Sequence, residues 1–207
     1  MAEEIVLYTN PQSRGAMAHW MLEEIGCPYR IEVKGFDGDL RTPEYRAINP
    51  MGKVPAIRHG NTVVTETGAI LCYLADVFPE AKLAPPAAER GSYYRWLFFV
   101  AGCCEPAMGN KAVGWNPDTP ELQGRFGYGS YERTIDTATK AVEGRRYIAG
   151  DTFTAADLYM ASFLSFGMMF GVVEKRPAFE AYVGPHLERP AGKRAQEQAA
   201  RLMAKSA

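Results

Sequence analysis

Asn49-Pro50-Met51-Gly52-Lys53-Val54-Pro55-Ala56-Ile57, with Glu66-Thr67-Gly68-Ala69-Ile70 nine residues beyond it, decides how this chain is read. Val54-Pro55 ends a turn and opens an apolar run, and Pro55 removes a backbone N–H where a strand should begin. The proline is expected to be an edge or cis-peptide device. With a cis bond, the Val54 N–H and C=O face solvent and can pair with an extended peptide. After Thr62-Val63-Val64, the Glu66-Thr67-Gly68 segment opens a run with Ile70, Leu71, Leu74, Val77 and Phe78 at helical spacing. Thr67 then sits at a helix start, where unpaired N–H groups and partial positive charge can hold a carboxylate, while Glu66 beside it can take an ammonium group. A zwitterionic amino-acid head group fits that pair. The plainer reading makes Thr67 a helix cap and leaves Glu66 solvated.

Working outward, residues 5–8, 29–34, 54–58 and 62–65 read as short strands, and 13–25 and 67–78 carry helical periodicity. His59-Gly60-Asn61 is the hairpin turn between the last two strands. The proline-rich stretch 79–86 breaks this pattern, and the rest of the chain reads as helix and loop. The expected organisation is therefore an α/β unit over 1–80 and an all-helical unit over 87–207. In the second half, Ala87 to Cys104 is apolar around much of its circumference and needs covering on most sides. Glu105-Pro106 is expected to end or kink it, and Gly109 to Gly129 reads as a loop-like rim. Thr154-Ala155-Ala156-Asp157 has the form of a capping box ahead of an apolar helix from Leu158 to Val173. The tail 191–207 is expected to fray.

Composition narrows the class. A chain of 207 residues with 47% hydrophobic and 23% charged residues is ordinary for a globular protein with a real core. A formal net charge of −1 and the lack of a basic, aromatic-interleaved cluster argue against a nucleic-acid surface; Arg145-Arg146 is only a pair. No run reaches the length of a membrane span, and Met1-Ala2-Glu3-Glu4 is acidic where a signal peptide is basic, so the expected location is the cytoplasm. Cys27, Cys72, Cys103 and Cys104 contain no C-x-x-C spacing and read as reduced structural thiols. His19, His59 and His186 lack ligand spacing and read as surface or helix residues, so no metal is expected.

The strand Ile5-Val6-Leu7-Tyr8, the turn Thr9-Asn10-Pro11-Gln12-Ser13-Arg14, the helix ending Trp20-Met21-Leu22-Glu23-Glu24-Ile25-Gly26, the Val54-Pro55 turn and Glu66-Thr67 together resemble the thioredoxin-like half of a cytosolic glutathione S-transferase of bacterial type. Gly150-Asp151-Thr152-Phe153-Thr154-Ala155-Ala156-Asp157-Leu158 is similar to the buried capping motif of that family's helical half. The resemblance implies a thioredoxin-like domain followed by a helical bundle, glutathione as co-substrate, a homodimer, and attack of the glutathione sulfur on a hydrophobic electrophile. It implies that Val54 binds through its backbone beside Pro55, that Glu66 and Thr67 take the glutamyl end, and that Lys53 takes the glycyl carboxylate. Tyr93, Trp96, Phe99, Met108 and Trp115 are candidates for the electrophile pocket, although aromatic residues at helical spacing are more often core. Alternatives within the resemblance are a non-catalytic binding or regulatory relative and a glutathione-dependent isomerase or dehalogenase.

A thiol with a pKa of about 8.5 is only about 3% ionised at pH 7, so a thiol-dependent enzyme must stabilise the anion. A shift of about two units, or roughly 2.7 kcal/mol, is within reach of one or two hydrogen bonds in a partly dry site. The family uses a tyrosine, serine or cysteine near the end of the first strand; here Tyr8, Thr9, Asn10 and Ser13 fall within one turn and no cysteine does. Ser13 is the candidate, with Tyr8, Asn10 and backbone N–H groups as alternatives and a plain N-cap as the bland role.

Overall fold

The computed structural model describes residues 4–206 and resolves into two compact units, one of residues up to Lys82 together with Arg189 onward and one of Leu83–Glu188. The acidic start at Met1–Glu3 lies outside the described residues.

The first unit is built on a four-stranded sheet of order β2-β1-β3-β4. β1 (Ile5–Thr9) is buried along its whole length, as a central strand covered on both faces must be. It runs parallel to β2 (Tyr29–Val33), across α1 (Gly15–Ile25), and antiparallel to β3 (Ala56–His59), which forms a hairpin with β4 (Thr62–Thr65). A short helix α2 (Pro43–Ile48), absent from the sequence reading, precedes the decisive turn; Thr42 caps it and Pro43 opens it. α3 (Thr67–Val77) follows β4 and buries Ile70, Leu71, Leu74 and Ala75. α1 ends at Gly26, whose φ of 73° supplies the left-handed C-cap.

The tail is ordered rather than frayed. α10 (Pro190–Ser206) belongs to the first unit, so that unit takes in 189–206 in addition to its N-terminal residues, and the division expected at 87–207 is corrected there. Charge pairing on α1 is the reason. Glu24 accepts a bidentate pair of bonds from Arg189 at 2.6 and 2.7 Å and a third from the Trp20 indole at 2.9 Å. Arg194 binds the Glu23 carboxylate at 2.6 Å and the Glu23 carbonyl at 2.8 Å. His19 Nε2 lies 2.9 Å from Gln198 Oε1 and 3.0 Å from the Tyr29 hydroxyl, which itself donates to Glu23. Bidentate guanidinium–carboxylate pairs of this burial fix geometry far better than exposed ones.

The second unit contains only helices among its described regular elements. α4 (Gly91–Phe99) does not stop before Pro106; it widens into a π turn at Val100–Cys104 and continues as α5 (Glu105–Ala112). Proline lacks the N–H that an α-helix requires, and a local i→i−5 pattern, with Glu105 N–H on the Val100 carbonyl, lets the chain pass it. Tyr94 and Phe98 on this helix are exposed, so its covering is incomplete. The segment read as a loop-like rim finishes α5 and carries α6 (Pro120–Arg125). α7 (Tyr131–Val142), α8 (Ala155–Met169) and α9 (Pro177–Leu187) complete the unit.

α8 is its central rod, and the capping box forms at its start. Asp157, fully buried, accepts from the Thr154 N–H at 2.9 Å and hydroxyl at 3.1 Å, from the Ile148 N–H at 2.8 Å and from the Tyr182 hydroxyl at 2.8 Å. Burial, then the Asp157 carboxylate, pushes the Tyr182 phenol up. His19 and His186 are buried within helices, and the four cysteines are not joined in disulfides.

Two outcomes test these contacts. Asp157→Ala strands several buried donors and lowers stability by about 3 kcal/mol or more, read by chemical denaturation. The α10 dock weakens with acid. Burial holds His19 below its ordinary 6.5, so the contribution of its neutral form is lost as pH falls from about 6.5. Burial works to raise Glu23, but hydrogen bonds from Tyr29 and Arg194 hold it below its ordinary 4.5, and that contribution is lost as pH falls further through the depressed value. Protection factors of α10 amides, corrected for the slower intrinsic exchange in acid, should therefore fall on acidification before those of β1; equal protection at pH 7 and pH 4 would contradict this.

Candidate binding site at the sheet end

Strand register brings the candidate residues together. Tyr8 pairs with Ala56, and Ala56 with Thr65, so the C-terminal end of β1, the start of β3 and the end of β4 coincide. The β1–α1 turn with Ser13, the Val54-Pro55 turn and Glu66-Thr67 therefore lie at one end of the sheet. Lys34 joins them from the end of β2: its N–H donates to the Thr9 carbonyl at 2.8 Å, and its carbonyl accepts from Asn10 Nδ2 at 2.9 Å.

The Val54-Pro55 bond is cis, as the sequence suggested. The turn ahead of it is held from behind by two residues that the sequence reading passed over as site-builders. Tyr45 Oη donates to the Lys53 carbonyl at 2.7 Å and Asn49 Nδ2 donates to the same oxygen at 2.8 Å, while Asn49 Oδ1 accepts from the Met51 N–H. Asn49 is buried, and an Asn-Pro pair opening a turn was its visible signal. Gly52 completes the turn with φ 59°; a Cβ there would stand 2.7 Å from the Leu40 carbonyl oxygen. Burial, then the neighbouring Tyr8, pushes Tyr45 up to about 12, so it remains a donor at any ordinary pH. With Lys53 O committed, the next residue is left open: the Val54 N–H and C=O have no hydrogen-bond partner among the described residues. Lys53 is exposed and its ammonium forms no ion pair among those residues.

Glu66 is the N-cap of α3, not Thr67, and no side chain caps that helix. Its backbone has φ 67° and ψ 122°, a conformation that costs a non-glycine residue about 1–3 kcal/mol. The strain accompanies an exposed carboxylate that bonds no described residue. Thr67, half-buried, begins the first turn, whose N–H groups are open to an anion.

Ser13 sits just before α1, half-buried, and its hydroxyl is engaged in the turn. It donates to the Asn10 carbonyl at 2.6 Å and accepts from the Gly15 N–H at 3.0 Å. Gly15 is obligatory at this crossing, since a Cβ would collide with Thr9 Oγ1. Asn10 is likewise committed, donating to Lys34 O and accepting from the Gln12 N–H at 2.9 Å. Tyr8 is buried in the strand, edge-on to Tyr45. Of the pocket candidates in the second unit, Tyr93, Trp96 and Met108 are core residues, whereas Phe99 is half-buried and Trp115 is exposed against Phe126. No group of three or more potential metal ligands occurs among the described residues, and no described helix is long and apolar enough to cross a membrane.

Set beside known proteins, residues 15–77 match the family model of the glutathione S-transferase N-terminal domain, and residues 131–190 match that of the C-terminal domain. Glutathione S-transferase GstA of Escherichia coli O157:H7 is 33% identical over 167 residues, covering 76% of this chain and 80% of GstA. The chain belongs to the glutathione S-transferase family. Among solved glutathione transferases, that of Methylococcus capsulatus strain Bath superposes with a TM-score of 0.78 at 29% identity, covering 95% of this chain and 98% of that one. A sphingomonad glutathione S-transferase solved with glutathione superposes with a TM-score of 0.76 at 25% identity, covering 94% and 98%. The thioredoxin-like sheet unit and the helical unit are thus the family fold, of bacterial type.

The strain at Glu66 gives a direct measurement. Glu66→Gly should raise stability by about 0.5–1 kcal/mol or more because glycine adopts φ 67° without penalty, whereas Glu66→Ala keeps the strain and leaves stability near wild type. Denaturant midpoints of wild type and the two variants decide it; a Glu66→Gly variant less stable than Glu66→Ala would show that the φ of 67° is not a cost, and a Glu66→Ala variant well below wild type would show that the carboxylate holds the fold.

Proposed function

We propose that the protein is a glutathione transferase, binding glutathione at the sheet end of its first unit and activating the thiolate for attack on a hydrophobic electrophile. The observation that carries this reading is the coincidence, at one end of the sheet, of an exposed carboxylate held at strained φ, an uncapped helix start and an unpaired backbone segment. These match a γ-glutamyl peptide group by group. Glu66 takes the ammonium, the α3 amides and Thr67 take the glutamyl carboxylate, Val54 pairs with the cysteinyl backbone beside Pro55, and Lys53 takes the glycyl carboxylate. Family membership supports glutathione as the co-substrate, a homodimeric assembly and a cytoplasmic location.

Ser13 supplies the stabilising donor. Its proton, given to Asn10 O within the turn, rotates toward the sulfur when glutathione binds, while the Gly15 N–H continues to polarise the oxygen. The thiol proton leaves to solvent, the sulfur forms a bond to the electrophilic atom, and the leaving group departs or the adduct is protonated. The same Ser13–Asn10 bond favours a second reading, a glutathione-binding relative without turnover.

Calorimetric titration with glutathione and a turnover panel of aryl halides, activated alkenes and peroxides separate the two. Glu66→Gln should weaken glutathione about 10- to 100-fold, the loss of a charge-assisted contact. Ser13→Ala should leave affinity nearly unchanged but raise the pKa of bound glutathione by about one to two units, read from thiolate absorbance against pH. Tight binding with no turnover on any class would establish the binding-only reading, and an unshifted titration in Ser13→Ala would pass the role to Tyr8, Asn10 or backbone N–H groups.

A further inference from the structure

The second unit holds a cleft of about 550 Å³ lined by Ser92 of α4 and by residues 145–151 of the α7–α8 connection. We propose that it binds a small oxyanion, the carboxylate or phosphate group of a metabolite. Two guanidinium groups line it. Arg145 and Arg146 form no ion pair among the described residues, although Glu143 and Asp151 lie close in sequence, and Arg146 instead sits over the Tyr147 ring at 5.4 Å. Unpaired adjacent arginines on one cleft repel each other and are fork-shaped donors suited to carboxylate and phosphate.

The backbone adds an independent observation. The N–H groups of Tyr147, Ala149, Gly150 and Asp151 find no acceptor among the described residues, although this segment is firmly anchored. Ile148 N–H is tied to the buried Asp157 at 2.8 Å, the Ile148 carbonyl accepts from Ser92 Oγ at 3.4 Å, and Arg145 N–H closes on the Val142 carbonyl at 3.1 Å. Ala149, Gly150 and Asp151 thus offer consecutive N–H groups without a protein acceptor beside two exposed arginines, groups that an anion can use together. Asp151 is the single carboxylate of the lining, so the oxyanion belongs on the arginine side. None of these residues takes part in the proposed glutathione site.

The test titrates the full chain at low salt with inorganic phosphate and, separately, with succinate, by calorimetry and by amide shift mapping. At least one should bind saturably and shift the amides of residues 146–151, and the one that does identifies the head group. R145Q/R146Q should weaken that ligand about tenfold or more, with each single variant intermediate and the melting temperature unchanged. If neither anion saturates, if the shifts fall elsewhere, or if R145Q/R146Q binds as wild type does, the proposal is wrong. Should the double variant unfold, R145Q and R146Q alone carry the comparison.

Discussion

The antiparallel pairing of β1 with β3, with Tyr8 opposite Ala56, is the constraint on which the first unit depends. Parallel β1 and β2 need a helical crossover, which places the α1 start at the C-terminal end of β1. Reversing direction at β3 then brings the beginning of that strand, rather than its end, to the same place. The hairpin returns β4 and delivers the start of α3 there too. Two helix N-termini and one turn thus converge with no side chain specifying their meeting. A one-residue slip of β3 would exchange its core and solvent faces and carry Val54 away from Glu66.

That end of the sheet is built to remain incomplete. In the core of the second unit polar groups are closely satisfied, as the four donors on Asp157 illustrate. At the sheet end, Lys53 O is doubly satisfied while the adjoining Val54 groups are not, and the start of α3, like that of α1, has no side-chain cap. Local departure from satisfaction, surrounded by rigid support, is what a preorganised polar site requires.

Much of this was legible in the sequence because it depends on short-range chemistry. Period-two and helical patterns located the four strands with α1 and α3, the Val-Pro turn announced its cis bond, and Thr154-Ala155-Ala156-Asp157 announced its box. Two kinds of miss stand apart: α2 carried a local signal in Thr42-Pro43 that the reading passed over, whereas others involve partners remote in sequence or compensations that a local rule does not see. Pro106 reads as a helix terminator unless the preceding turn is allowed to widen. The α10 segment reads as a polar, fraying tail because the groups that hold Arg189 and Arg194 lie on α1, at Glu24 and Glu23. Ser13 was rightly placed at the turn, but its hydrogen-bond partners, Asn10 O and Gly15 N–H, are set by turn geometry that residue identities alone leave open.

Because α10 packs on α1, the first unit is assembled from two stretches of chain separated by the whole of the second. During synthesis the sheet, α1 and α3 emerge before the second unit, yet the carboxylates of Glu23 and Glu24 meet their guanidinium partners only once Arg189 and Arg194 have been made. The contiguous second unit can close in the meantime, since domains fold as units once their own segments are available. The sheet-bearing unit is therefore begun before the second unit and finished after it, and a chain truncated before Arg189 would carry the sheet-end residues on a scaffold whose α1 has two acids left without these counterions.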